Sequence, residues 1–130
     1  MKFDVVPMIS VNEIVFGMKR EEIRAILGNA TEFYKFEDDE VATDDFGFCH
    51  VFYDTQDRCE AIEIFNESEV YINDKLIFPT DFNVALDAVE DFEQDDDGLI
   101  SYANSIGIYA PDEEMESILI GKKGNYDDEN

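Results

Sequence analysis

Two stretches of this chain, 56 residues apart, repeat one pattern. Laying "VFYDTQDRCEAIEI" over "GIYAPDEEMESILI" matches Tyr53 with Tyr109, Glu60 with Glu116, Ile62 with Ile118 and Ile64 with Ile120. Phe52 then meets Ile108, and Cys59 meets Met115. An internal repeat constrains a fold more than a single motif does, because each copy must be one supersecondary unit. Each stretch also follows a helix-like segment, so each half reads as a helix and then strands. The pseudo-repeats are expected at about 12–65 and 79–121, within one domain of 130 residues, with 122–130 as a frayed tail.

The local signals fill in that frame. Met18, Ile23, Ile26 and Leu27 recur at helical spacing, and Gly28 is a natural stop, so a helix is expected from about Lys19 to Leu27. A second begins after Pro79, capped by Thr80 or Asp81, with Phe82, Leu86 and Val89 as its apolar stripe. "TEFYKFE" alternates as a strand, and "FGFCHVFYD" and "RCEAIEIF" form a hairpin across "DTQD". "EVYIN" and "KLIF" flank Asn73-Asp74 as a shorter hairpin, and "LISYA", "SIGIYAP" and "MESILIG" are later strands. The predicted class is α+β. Two pseudo-repeated helix–strand halves put both helices on one face of a curved, mostly antiparallel sheet and leave the other face partly free.

Charge sets what such a surface can meet. Thirty-three acidic residues against nine basic ones give a formal net charge of -24. That field repels nucleic acid and anionic membrane and attracts basic proteins. Eleven Phe and six Tyr mark a chain with enough apolar mass to fold. "MKFDVVPMIS" holds an early Asp4 and Pro7 and is no secretion signal, so a cytoplasmic protein is expected. No stretch is apolar for long enough to span a bilayer. Pairing Asp54 with Asp57 would set Cys49 opposite Ile62 and Cys59 opposite Phe52, on opposite faces of the hairpin, so both are expected to be free thiols.

One motif invites a metal. With Gly98 at the sixth position of an EF-hand loop, Glu93, Asp95, Asp97 and Asn104 fall at positions one, three, five and twelve. Glu93 should then be aspartate, Asn104 should be a bidentate glutamate, and the residues that follow favour strand over helix. The stretch reads as an acidic turn with Gly98 in a left-handed conformation, and no metal or cofactor is expected. His50 is the only histidine and lacks ligand-spaced neighbours, so it reads as a sheet residue. Glu60, Glu63 and Glu116 alternate as acids on an open sheet face. No nucleophile–base order or phosphate loop is present, so the chain is read as a non-enzyme. Open-face aromatics ringed by acids would make a hot-spot layout.

"FGMKREEIRAILGNATEF", followed by "VFYDTQDRCEAIEIF", is similar to a recurring bacterial pattern. It resembles small duplicated α+β proteins with a TATA-binding-protein-like or β-lactamase-inhibitor-like sheet. Some of these are immunity proteins for secreted bacterial toxins. "GMxxEEIxxxLG" also occurs in envelope lipoproteins and inhibitory domains, which are exported, whereas this chain shows no lipobox. The resemblance implies an acidic cytosolic immunity protein that neutralises a basic toxin, a nuclease by charge complementarity, since a nuclease cleft binds phosphates. The expected contacts are Glu37, Asp38, Asp39, Glu40, Asp44 and Asp45, with Asp91, Glu93, Asp95, Asp96 and Asp97. A ligand- or cation-binding regulatory module without catalysis is the alternative, and acidity that only maintains solubility is a third. Monomer and dimer both stay open.

Overall fold

A computed structural model describes residues 1–125. It is α+β, with two helices and two mostly antiparallel sheets of five and eight strands. The five-stranded sheet contains β1 (Lys2–Val6), β2 (Ser10–Val11), β3 (Ile14–Val15), β8 (Glu69–Ile72) and β9 (Lys75–Phe78). Its order is β3-β2-β1-β8-β9, and β1 runs parallel to β8 with Phe3 opposite Val70. The eight-stranded sheet is built from β4 (Thr31–Phe33), β5 (Thr43–Asp45), β6 (Cys49–Tyr53) and β7 (Cys59–Phe65), then β10 (Glu93–Asp95), β11 (Gly98–Ser101), β12 (Ile106–Tyr109) and β13 (Ser117–Gly121). Its order is β10-β11-β12-β13-β7-β6-β5-β4.

Each helix therefore leads into a four-stranded meander. α1 (Arg20–Leu27) precedes β4 to β7, and α2 (Phe82–Ala88) precedes β10 to β13. The two meanders meet at β7 and β13, where Glu63 stands opposite Leu119. Register is symmetric about that pair: Ile62 faces Ile120, and Ile64 faces Ile118. The 56-residue offset thus holds for β7 and β13. It slips by one residue in β6 and β12, because Val51 pairs with Ile62 whereas Ile108 pairs with Ile118. Between Phe52 and Tyr53 the β6–β7 register shifts, leaving Glu60 as the extra residue of a bulge. Phe52 and Tyr109 are the counterparts on one face, and buried Tyr53 corresponds to buried Ala110.

Helix ends follow local chemistry. α1 starts where the Lys19 backbone N–H donates to Glu22 Oε1 at 2.8 Å, and it stops at Gly28, whose φ is 101°. α2 starts at Asp81, whose Oδ1 accepts from the Asn83 N–H at 2.9 Å.

The expected single sheet under two helices is corrected to two sheets. "KFDVV" alternates with Phe3 and Val5 inward, and these join the same core as Val51, Ile62, Ile64, Ile118, Ile120, Ile23 and Phe82. The second sheet, with the helices, supplies the cover for the buried face of the eight-stranded one. The cysteine register is also corrected. Cys49 pairs with Ile64 and Cys59 with Tyr53, so both thiols lie buried on one face, and both are free. The strand expected over 31–37 ends at Phe33. Within the expected tail of 122–130, the Lys122 N–H donates to the Glu60 carbonyl at 2.9 Å and the Asn125 N–H to the Lys122 carbonyl at 3.0 Å; 126–130 lie outside the described residues. Among the described residues no helix is long and apolar enough to cross a membrane.

Candidate functional site

A buried charge cluster anchors the first half. Asp44, in the middle of β5, has no solvent exposure at all. Arg20 and Arg24 stand one turn apart on α1 and both reach it. Arg20 Nη1 donates to Asp44 Oδ1 at 3.0 Å, Arg24 Nε donates to Oδ2 at 2.9 Å, and Arg24 Nη2 donates to Oδ1 at 2.6 Å. The Tyr53 hydroxyl donates to Oδ2 at 2.9 Å, and the Arg20 guanidinium lies 4.0 Å over the Tyr53 ring. Burial alone would raise the Asp44 pKa, but the hydrogen bonds from Arg24 and Tyr53 and both guanidinium charges hold it below the usual aspartate value. Burial and the adjacent Asp44 charge push the Tyr53 hydroxyl up, so it stays protonated and donates. This cluster clamps α1 to β5 and β6. Arg20 also binds Asp57 and the Ala42 carbonyl, so the loop before β5 and the β6–β7 turn are fixed too.

That clamp fixes one edge of the open sheet face. Alternation sends Phe33, His50, Phe52, Glu63, Phe65, Ile100, Leu119 and Tyr109 to the side away from Val51 and Ile62. His50 packs edge-on between Phe33 and Phe65, at 4.9 and 4.8 Å between ring centres. Its Nε2 is 3.5 Å from Asp45 Oδ1 and its Nδ1 is 3.7 Å from Glu63 Oε1. Lys35 Nζ reaches the same Glu63 Oε1 at 3.3 Å and sits 4.8 Å over the Phe52 ring.

Beside Phe52 the face deepens into a cleft of about 670 Å³. Phe36, Phe52, Ala61 and Leu119 supply its apolar lining. Asp38, Asp39, Glu40, Asp54 and Glu60 supply carboxylates, and Lys35 is the cation among the lining residues. The loop that builds one wall, 34–42, is nine residues long between β4 and β5, against two residues, 96–97, between β10 and β11. Asp39 Oδ2 accepts from the Phe36 N–H at 3.0 Å, which turns the loop, and Phe36 is 61% exposed.

The acids singled out in the sequence separate into three groups. Asp38, Asp39 and Glu40 line the cleft, with Glu37 exposed beside them. Asp44 is inside the protein, and Asp45 is half-buried near His50. Asp91, Glu93, Asp95, Asp96 and Asp97 are exposed at the opposite edge, along β10 and its turn. Asp38, Asp39 and Glu40 lie over β6, β7 and β13, beside Phe52, Ala61 and Leu119, whereas the last group runs along β10, three strands beyond β13, and lines no part of that cleft. The β10–β11 stretch is a hairpin in which Asp95 Oδ1 accepts from the Asp97 N–H at 2.9 Å, not a loop between helices. Among the described residues no group of three or more His, Cys, Asp or Glu is placed to hold a metal ion.

Sequence reasoning missed Lys35, Asp54 and the Arg20–Arg24 pair. A signal was present: with nine cations in the chain, two at positions i and i+4 of one helix face have a shared acceptor to find. The sequence matches no protein-family model, and comparison with curated proteins and with solved structures finds no match either.

Proposed function

We propose that the chain is an immunity-type inhibitor that captures a basic protein toxin, a nuclease by charge complementarity, on the open face of its eight-stranded sheet, in the cytoplasm. One observation carries this reading. The open face joins aromatic side chains to a carboxylate-lined cleft, with Phe36 and Tyr109 exposed by 61% and 47%. Aromatic anchors slow release, and a carboxylate rim with a net charge of -24 steers a basic partner in. A surface that binds phosphates would accept those carboxylates in their place. Asp44 stands outside this contact because it has no exposed surface. The acids at the β10 edge add to the field and not to the cleft.

The test is affinity capture from lysate of the source cells, run in parallel with the wild type and with Phe36→Ser/Glu40→Lys. Both of these side chains are exposed, so the fold should survive. One stoichiometric basic protein, held through moderate salt by the wild type and lost by the variant, is the expected result. A broad set of basic proteins released at modest salt from both would reject the reading.

A further inference from the structure

Lys35 occupies a place suited to a foreign cation. Its ammonium lies over Phe52, 6.0 Å from the Phe36 ring centre, and against Glu63. An aromatic face beside a carboxylate is a cation-binding arrangement. The protein uses the same arrangement in its interior, where Arg20 stacks on Tyr53 beside Asp44. In the interior the guanidinium is locked by four partners; at the surface the Lys35 side chain is 37% exposed and holds one ion pair at 3.3 Å. An exposed pair of this kind is weak and readily exchanged.

We propose that Lys35 is a resident plug of an arginine-recognition site, and that a partner's arginine displaces it from Phe52 and Glu63. This rests on the reading of the open face as a protein-binding surface and names the group recognised there. Arginine fits better than lysine for a physical reason. Its guanidinium is planar and weakly hydrated, so it stacks on the Phe52 ring while its N–H groups reach Glu63 or Glu60. The cleft exceeds one side chain in volume, so it takes the arginine together with its flanking peptide. The displaced Lys35 ammonium has Asp38, Asp39 and Glu40 of the same cleft to move toward.

The experiment titrates a glycine-spaced arginine peptide into the isotope-labelled full chain at physiological salt, following backbone amide shifts. The lysine analogue and spermidine are titrated alongside. Removing the plug with Lys35→Met should tighten arginine-peptide binding about five-fold, and removing the ring with Phe52→Leu should weaken it by a similar factor. Lys75→Met, on β9 in the other sheet, makes the same charge change and should leave affinity unchanged. Equal affinity for Lys35→Met and Lys75→Met would overturn the proposal. So would spermidine or the lysine peptide binding as tightly at the same amides, since that is the response of a bare acidic field. If Phe52→Leu fails to fold, the comparison of the two lysine variants still decides. A captured basic protein indifferent to Lys35→Met and Phe52→Leu would leave the inhibitor reading standing and sink this one. Peptide binding as described, with no basic protein captured, would do the reverse.

Discussion

Asp44→Ala should destabilise the fold by about 3 kcal/mol, the low end of the range for removing one partner from a buried ion pair. The magnitude follows from what each donor keeps. Arg20 loses one hydrogen bond but retains Asp57 and the Ala42 carbonyl. Arg24 loses two, yet its side chain is 35% exposed and keeps Glu32 at 2.8 Å, so water can serve its freed N–H groups. The Tyr53 hydroxyl is left without its acceptor in a buried setting, which alone costs about 1–3 kcal/mol. The control is Glu32→Ala, an exposed partner of the same Arg24, expected to cost under about 1 kcal/mol. Urea unfolding followed by circular dichroism gives both values from midpoints at a shared slope. If Asp44→Ala cost no more than Glu32→Ala, the cluster would not be the clamp between α1 and the sheet, and the reasoning would fail.

Three further outcomes follow from named contacts. The stability difference between wild type and Asp44→Ala should shrink in acid: the Asp44 pKa is depressed on folding, so its contribution is present above the unfolded value of about 3.9 and is lost as pH falls through the lower folded one. Taking the difference between the two proteins removes the shared relief of self-repulsion as other carboxylates protonate, and a difference that stayed constant to pH 2 would reject the assignment. Gly98→Ala should cost more than about 2 kcal/mol in urea unfolding, because φ is 148° and a Cβ would overlap the Ile108 carbonyl oxygen across the β11–β12 pair. Burial pushes the Cys49 and Cys59 thiols up to about 12, with the Asp45 charge adding to the first, so neither should react with a thiol-specific disulfide reagent at pH 8 until urea unfolds the chain; rapid labelling in native buffer would contradict their placement.

What the sequence made legible was local. α1 was readable because Ile23, Ile26 and Leu27 recur at helical spacing and Gly28 stops the run. The hairpin of β6 and β7 was readable from β-branched and aromatic runs around "DTQD", but its register was not. The turn closes at Asp54 and Arg58, one residue later than Asp54 and Asp57, and the bulge at Glu60 shifts the pairing by one more; a bulge leaves no mark in composition. The five-stranded sheet was hidden for a different reason. β2 and β3 are two residues each, and β1 finds its parallel partner 67 positions away in β8, so no local period announces them. β5 was hidden by its own chemistry. "TDD" inside an acidic run reads as a solvated loop, and only the distant Arg20 and Arg24 convert Asp44 into a core residue.

The same distant pairing explains why the two halves of the larger sheet do not present equal surfaces. Phe52 and Tyr109 are counterparts in the pairing, Phe52 opposite Ala61 and Tyr109 opposite Ser117, but their surroundings differ. Tyr109 lies on the meander whose β10–β11 turn is two residues long, and it stands 47% exposed. Phe52 lies on the meander whose nine-residue loop folds up beside it, and it becomes the floor of a cleft. The pairing of Phe33 with Thr43 closes that loop. Arg20 adds a hold at its far end, donating to the Ala42 carbonyl at 2.9 Å while bound to Asp44 two residues on. Asp44, picked out in the sequence as a contact residue, thus acts on the surface from beneath it. It fixes where the loop ends, and so the wall that carries Asp38, Asp39 and Glu40 against Phe52.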